Sequence, residues 1–173
     1  MPTYKVLHQV PTLIGMNEGA ALLVKLFLQI KEIQIEGQLF PALQKNIESS
    51  QLRVGVESDL YAYTFATLWT ALNQYNFSKY IQVGETEQQQ QQQRKAILIN
   101  NILSFYKGAD YLAENQIITC LQVRRKETQF KNQIMPAFEG TFTTNALLPE
   151  GIGLGKAVSR GFGTIRKARV PVW

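Results

Sequence analysis

Residues that form metal sites and disulfides are scarce in the sequence. Among its 173 residues there is one cysteine, Cys120, and one histidine, His8. A single cysteine excludes an internal disulfide and a cysteine-rich zinc module, and it fits a reducing, cytoplasmic setting. Because Cys120 lies within an apolar run, residues 117–123, we interpret it as a buried structural thiol. We therefore expect neither a bound metal ion nor a cofactor.

Long apolar segments are also absent. The longest run, residues 20–30, is interrupted by Lys25 and Gln29, and it is too short to span a bilayer. The N-terminus lacks the pattern of a secretory signal peptide. With 45% hydrophobic residues, the chain can bury one ordinary core or two small ones. We expect a soluble globular protein that does not bind membranes.

Acidic residues are outnumbered by basic ones. The formal net charge is +5 and the pI is near 9.4. Residues 156–169 carry five positive charges and no carboxylate, and a second basic group consists of Arg124, Arg125, Lys126 and Lys131. A polyanion such as a nucleic acid is the partner that this uneven distribution favours.

Glycines are concentrated in one segment near the C-terminus. Residues 153–163 read GLGKAVSRGFG, and Gly151 lies just upstream. We call residues 151–163 the glycine loop. Because glycine has no Cβ, it enters left-handed conformations and lets a backbone or a phosphate approach closely. Two Gly-apolar-Gly triplets that flank Lys156 and Arg160 therefore predict a shaped loop with exposed amides that binds an anion.

Two nucleotide-binding motifs do not fit the glycine loop. A Walker phosphate loop fails because the upstream glycine is Gly151 rather than residue 150, and because Ala157 occupies the hydroxyl position. A dinucleotide fingerprint fails because Lys156 or Val158 stands where the third glycine should be and because a strand, not a helix, is expected to follow. A turn required only for structure stays open as an alternative, although it does not account for the cations inside the loop.

The first part of the chain, residues 1–54, predicts a partial ferredoxin-like unit. We expect strands at residues 4–10 and 12–16 on either side of Pro11, then a mostly buried helix that follows Asn17. A further strand is expected at residues 32–36. Strand, strand, helix and strand form half of a split βαβ arrangement.

The second part, residues 55–173, predicts a βαββαβ order with a shortened second helix. The elements expected after the first strand are a helix at residues 94–107, strands at residues 117–123, 129–144 and 162–170, and the glycine loop before the last strand. Pro136 indicates a sheet edge or a bulge. The basic group at residues 124–126 is interpreted as a turn or a strand end.

Two segments of this second part have more than one interpretation. Aromatic residues alternate with others between Tyr61 and Trp69 and could stack on bases, but the stronger interpretation is core packing. The six glutamines of residues 88–93 form either a loose insertion or an extension of the following helix.

Several segments resemble one known family. The glycine loop resembles that of the RAMP proteins of CRISPR systems, which bind CRISPR RNA on ferredoxin-like domains. Residues 15–19 (GMNEG), 69–80 (WTALNQYNFSKY), 99–108 (INNILSFYKG) and 148–165 (LPEGIGLGKAVSRGFGTI) are similar to the CRISPR repeat-RNA-processing endoribonucleases. The resemblance covers most of the chain.

The resemblance implies a fold, a reaction and a set of site residues. The fold would be α+β, with tandem ferredoxin-like (RRM-like) units, the first incomplete and the second carrying the C-terminal glycine loop. The reaction would be metal-independent cleavage of precursor CRISPR RNA through attack of a ribose 2′-hydroxyl, with a cyclic phosphate as product. The implied RNA-binding residues are Gly153, Gly155, Lys156, Ser159, Arg160, Gly161, Gly163, Arg166, Arg124, Arg125 and Lys126.

The catalytic residue is not assigned by the resemblance. Members of this family usually begin with a further strand and helix that supply a histidine, whereas this chain opens at what resembles their second strand. His8 is the candidate general acid or base, and a tyrosine or lysine is the alternative. A non-catalytic RNA-binding subunit of a CRISPR effector complex, or a half-protein completed as a homodimer or by a partner chain, is the second interpretation.

Overall fold

Eight strands, two helices and one short 3-10 turn are found in the described part of the chain. The computed structural model describes residues 3–7, 10–71, 86–130 and 133–168. The chain divides into two units, Met1–Leu52 and Arg53–Trp173. Within the described ranges, no helix is both long and apolar enough to cross a membrane.

The first unit contains two antiparallel hairpins and one helix. Strand β1 (Thr3–Leu7) pairs with β2 (Val10–Ile14), and β3 (Glu32–Ile35) pairs with β4 (Gln38–Pro41). Helix α1 (Glu18–Phe27) lies between the hairpins in sequence. Pro11 lies inside β2 rather than between two strands, because it is paired with Val6 at the outer edge of a two-stranded sheet. The sequence did not indicate β4.

The burial predicted for α1 is wrong. Gly19 is the helix residue that is buried, whereas Leu22 and Val24 are 45% and 58% exposed. Leu28, just after the helix, is 79% exposed. An apolar run predicts that a helix needs a covering surface, but the sequence pattern does not say whether that surface is supplied nearby.

The second unit has a four-stranded antiparallel sheet. Its strands are β5 (Gly55–Phe65), β6 (Thr119–Phe130), β7 (Gln133–Leu147) and β8 (Ile165–Lys167), in the spatial order β6-β7-β5-β8. The first and third strands of the unit are central, and the second and fourth are at the edges, as in a ferredoxin-like unit. The 3-10 turn Val158–Arg160 stands where a second helix would be. The predicted α+β, ferredoxin-like fold is confirmed.

Helix α2 (Glu87–Gly108) includes the whole glutamine tract. The Thr86 hydroxyl accepts a hydrogen bond from the Gln89 N–H, and the Gln89 side chain accepts one from the Thr86 N–H. This capping box satisfies two backbone donors at the first turn. Of the two interpretations of the glutamines, the helical extension is therefore the one that is observed.

The aromatic row that begins in β5 and continues to Trp69 fills the core. Tyr63, Phe65 and Trp69 are all buried, and the rings of Phe65 and Trp69 stack with their centroids 5.2 Å apart. Phe138 and Phe142 of β7 pack against this row. The core-packing interpretation is confirmed, since these rings face α2 and not solvent.

Two predictions for β6 are corrected by the structure. The basic residues 124–126 lie inside a 12-residue strand rather than in a turn. Cys120 is exposed and is not a buried structural thiol. The second error arises because β6 has one face toward the core, where Leu121 is buried, and one open face that carries Cys120. Pro136 lies in the central strand β7 and not in an edge strand, and it pairs with Glu127 of β6 in a part of β7 that has no ladder with β5.

Candidate functional site

The glycine loop is anchored along the outer edge of β8. The Gly151 N–H donates to the Ile165 carbonyl (2.9 Å), and the Ile165 N–H donates to the Ile152 carbonyl (3.0 Å). The Leu154 N–H donates to the Gly163 carbonyl (2.9 Å), so the two ends of the loop run antiparallel to each other. The loop is therefore a short extension of the sheet and not a loose connection.

The chain segment after β5 fixes the other side of the loop. The Gly163 N–H donates to the Leu68 carbonyl (2.9 Å), and the Lys156 N–H donates to the Thr70 carbonyl (3.0 Å). The Thr70 hydroxyl donates back to the Lys156 carbonyl (2.6 Å). These contacts correct the expectation of a row of exposed amides, because much of the loop backbone already bonds to protein groups.

Two glycines are required by close packing. Gly163 has a φ of 65°, and a Cβ there would lie 1.9 Å from the Leu154 carbonyl oxygen. Gly155 has a φ of 99°, and a Cβ there would lie 2.8 Å from the Trp69 indole nitrogen. Both distances are too short for any side chain, so these glycines bring the loop against the core.

The tip of the loop presents its polar side chains from a fixed turn. Lys156, Ser159 and Arg160 are exposed. The turn that carries them is bounded by two residues in left-handed conformations, Ala157 (φ 54°) and Gly161 (φ 89°). The Gly161 carbonyl accepts hydrogen bonds from the hydroxyls of Thr67 and Thr164. The predicted site residues of the loop are thus brought together at one edge of the sheet.

The described members of the second basic group, Arg124, Arg125 and Lys126, lie at the opposite edge of the sheet, and Lys131 lies outside the described residues. Arg124 and Lys126 share one carboxylate, that of Glu139, at 3.1 and 3.2 Å. Arg125 points to the other face of β6, because successive strand residues alternate. Three strand spacings, about 14 Å, separate β6 from β8, where exposed Arg166 lies. The structure does not bring the two groups into one site.

A cavity of about 300 Å³ lies between α2 and the glycine loop. Its lining residues are Asn101, Ser104, Phe105, Gly153, Gly155, Lys156 and Val158. The apolar periodicity of α2 predicts a packing helix and does not indicate that its first three lining residues belong to a site. The available signal was the presence of Asn101 and Ser104 in a helix whose neighbouring residues pack in the core.

The candidates for proton transfer are in the first unit. His8 lies outside the described residues. Lys5 in β1 is 2% exposed, and this burial lowers the pKa of its side chain to about 8. An amine with such a pKa exchanges protons near neutral pH. Sequence reasoning did not distinguish Lys5 from the other lysines.

Known proteins are similar to both units. The Cas6b N-terminal domain matches residues 2–53, and the Cas6b C-terminal domain matches residues 55–168. A solved structure described as Cas6b is 30% identical, covers 96% of this chain and 77% of that chain, and superposes with a TM-score of 0.88. A second, described as the CRISPR RNA processing endoribonuclease Cas6b, is 29% identical, with coverages of 96% and 80% and a TM-score of 0.82.

A curated relative gives a similar result. The uncharacterized protein MJ0978 of Methanocaldococcus jannaschii is 28% identical over 142 residues, which is 82% of this chain and 95% of that protein. The family matches and the solved structures both extend over the two units. The chain belongs to the Cas6b family.

Proposed function

We propose that the chain binds CRISPR repeat RNA through the glycine loop and takes part in the processing of precursor CRISPR RNA. The observation that carries this proposal is the fixed loop with exposed Lys156 and Arg160, in a member of the Cas6b family. A similar solved structure is described as a CRISPR RNA processing endoribonuclease. We assign this role to the cytoplasm, in keeping with the single cysteine of the sequence.

The loop is suited to the RNA backbone rather than to the bases. Lys156, Arg160 and Arg166 supply positive charge, and the Ser159 hydroxyl supplies a donor near them. Contacts of this kind position a nucleic acid and contribute affinity that depends on salt. Since the loop backbone is held by Thr70 and Leu68, the cations are presented with little loss of backbone entropy on binding.

The proposed reaction is metal-independent cleavage. A ribose 2′-oxygen forms a bond to the adjacent phosphorus, and the bond from phosphorus to the 5′-oxygen breaks. A base takes the proton of the 2′-hydroxyl, and an acid gives a proton to the departing 5′-oxygen. The products are a cyclic phosphate and a 5′-hydroxyl end, and nearby cations stabilise the additional negative charge on the phosphorane. His8 and Lys5 are the two acid–base candidates.

Binding is tested with a repeat RNA and an unrelated hairpin of the same length. At moderate salt, the repeat should bind at least tenfold more tightly, because base contacts add to the contacts that any RNA makes. Equal affinity for the two RNAs would reject repeat recognition. Fluorescence anisotropy with labelled RNA measures both constants.

Cleavage is tested separately, in the presence of EDTA. Wild-type protein, His8→Ala and Lys5→Met are incubated with repeat RNA, and products are separated on denaturing gels. Loss of a proton-transfer group lowers the rate about 10²- to 10⁴-fold. No product from wild type rejects enzyme status, and full activity of a variant rejects that residue. If Lys5 acts as the base, the wild-type rate rises toward pH 8, and this rise is absent in Lys5→Met.

One observation favours a second function, that of a non-catalytic RNA-binding subunit completed by another chain. Apolar side chains of the first unit are widely exposed; those above 55% exposure are Val10, Val24, Leu28, Leu39, Leu43 and Leu52. Large exposed apolar surfaces mark interaction sites. Light scattering after size-exclusion chromatography tests this function: a stable monomer, with and without RNA, that cleaves RNA alone would reject it.

A further inference from the structure

The cavity between α2 and the glycine loop has one wall of side chains and one wall of backbone. Asn101, Ser104 and Phe105 come from α2, and Gly153 and Gly155 come from the loop. Its volume of about 300 Å³ is at the small end of the range for sites that bind small organic groups. It is large enough for one planar ring system but not for a duplex.

The orientation of Asn101 is set by the core. The Trp69 indole N–H donates to the Asn101 side-chain oxygen at 3.1 Å. Because this contact uses the side-chain oxygen, the amide nitrogen of Asn101 is the group that is available to a ligand. That nitrogen makes no hydrogen bond within the described part of the chain. The cavity therefore offers two N–H donors at a fixed position.

Ser104 offers the complementary group. Its hydroxyl donates to the Asn100 carbonyl at 2.8 Å, so its oxygen remains able to accept a hydrogen bond from a ligand. A donor and an acceptor on one helix, one turn apart, match the edge of a nucleobase, which presents both a ring or carbonyl acceptor and an N–H donor.

Phe105 and Lys156 supply an aromatic ring and a positive charge to the lining of the cavity. Phe105 is half-buried and gives the cavity an aromatic side chain, on which bases stack. Lys156 is exposed, and no ion pair with it is found in the ranges that the structure describes. A nucleotide carries a phosphate close to its base. The ammonium group of Lys156 suits the phosphate, and the aromatic ring and the two polar side chains beside it suit the base.

We propose that this cavity takes one unpaired nucleotide of the bound RNA, with its base between α2 and the loop and its phosphate at Lys156. The inference rests on the proposed RNA-binding function and adds a base-contacting site to it. It also gives the glycines a second role, since a Cβ at position 155 would meet Trp69 and alter the wall of the cavity.

The experiment uses the fluorescence of Trp69, which contacts the cavity through Asn101. In a Trp173→Phe protein, Trp69 is the single remaining tryptophan of the two in the sequence. The probes are the RNA hexamers of adenosine, cytidine and uridine, and a hexamer of abasic ribose phosphate with the same charge. At least one base-bearing hexamer should bind about tenfold more tightly than the abasic hexamer and should change the Trp69 emission.

Two variants fill the cavity or remove its aromatic face. Ser104→Tyr and Phe105→Leu should reduce the preference for bases to less than twofold and leave the affinity for the abasic hexamer unchanged. Leu103→Tyr, at a neighbouring α2 residue that is 41% exposed and does not line the cavity, should retain the preference. Circular dichroism confirms that each variant is folded.

The outcomes separate this inference from the proposed function. Equal affinity of wild type for base-bearing and abasic hexamers overturns the nucleotide site but leaves backbone binding intact. No binding of any hexamer or of repeat RNA at low salt overturns RNA binding itself. A nucleoside monophosphate that binds as tightly as the hexamers also overturns the inference, because the cavity would then be a site for free nucleotides.

Discussion

The two basic regions of the second unit differ in how their charges are held. At the glycine loop, Lys156 and Arg160 lie on a backbone fixed by hydrogen bonds, and residues 151–168 contain no carboxylate. On β6, Arg124 and Lys126 share the carboxylate of Glu139. A count of positive charges makes the regions look alike, whereas the structure shows a shared carboxylate at the β6 cations and a fixed loop backbone beneath Lys156.

The largest expected effect comes from the backbone of the loop. Gly163→Ala should lower the free energy of unfolding by about 3 kcal/mol, because its Cβ would overlap the Leu154 carbonyl oxygen in a left-handed conformation. Urea denaturation measures the change. Gly108→Ala is the control, since nothing lies within 4 Å of a Cβ there. An equal, small effect of both substitutions would show that the loop backbone is not tightly held.

The next effect is on RNA affinity at the loop. Lys156→Ala and Arg160→Ala should each weaken binding of repeat RNA about tenfold near 0.1 M salt and reduce the slope of log K against log salt by about 1. Lys107→Ala, an exposed cation in the last turn of α2, is the matched control. An unchanged salt slope in both loop variants would remove the loop from the RNA interface.

A smaller effect is expected at β6. Lys126→Ala should weaken binding less than twofold, because Glu139 already competes for this cation. Glu139→Gln should strengthen binding about two- to fourfold, since it frees Arg124 and Lys126. A Lys126→Ala effect as large as that of Lys156→Ala would break the proposed difference between the regions.

The smallest effect concerns Ala157. Ala157→Gly should raise the free energy of unfolding by about 0.5 kcal/mol, since glycine adopts its φ of 54° without the steric cost of a Cβ. Thermal unfolding followed by circular dichroism measures this change. A lower stability of the variant would show that the flexibility gained by the unfolded chain outweighs the relief of strain.

Local sequence patterns were sufficient for the central strands of the second unit. Alternation of Tyr63 and Phe65 identified both β5 and the face that is buried, because that face is covered by α2. The same alternation did not reveal the full length of β6. Its basic residues belong to the strand because they pair with β7, and no local apolar pattern marks them. The sequence pattern also did not predict the exposure of α1, since the burial of a helix depends on which surface covers it.

The candidate site was predicted in part. The glycines and cations of residues 153–163 identified the loop and its charge, because both are properties of the local sequence. The partners of the loop backbone were not predictable, since Leu68 and Thr70 come from a distant segment. The cavity was not predictable for the same reason, because Asn101 and Ser104 meet the loop only in the folded chain.

The antiparallel contact between the loop and β8 has a consequence for solubility. Gly151 and Ile152 occupy the hydrogen-bonding groups of Ile165 on the side of β8 that faces away from β5. An open strand edge is a template for pairing with another chain and for aggregation. At the other edge of the sheet, the charges of β6 discourage such pairing. A change that detaches the loop should therefore produce self-association of the sheet in addition to any loss of RNA affinity.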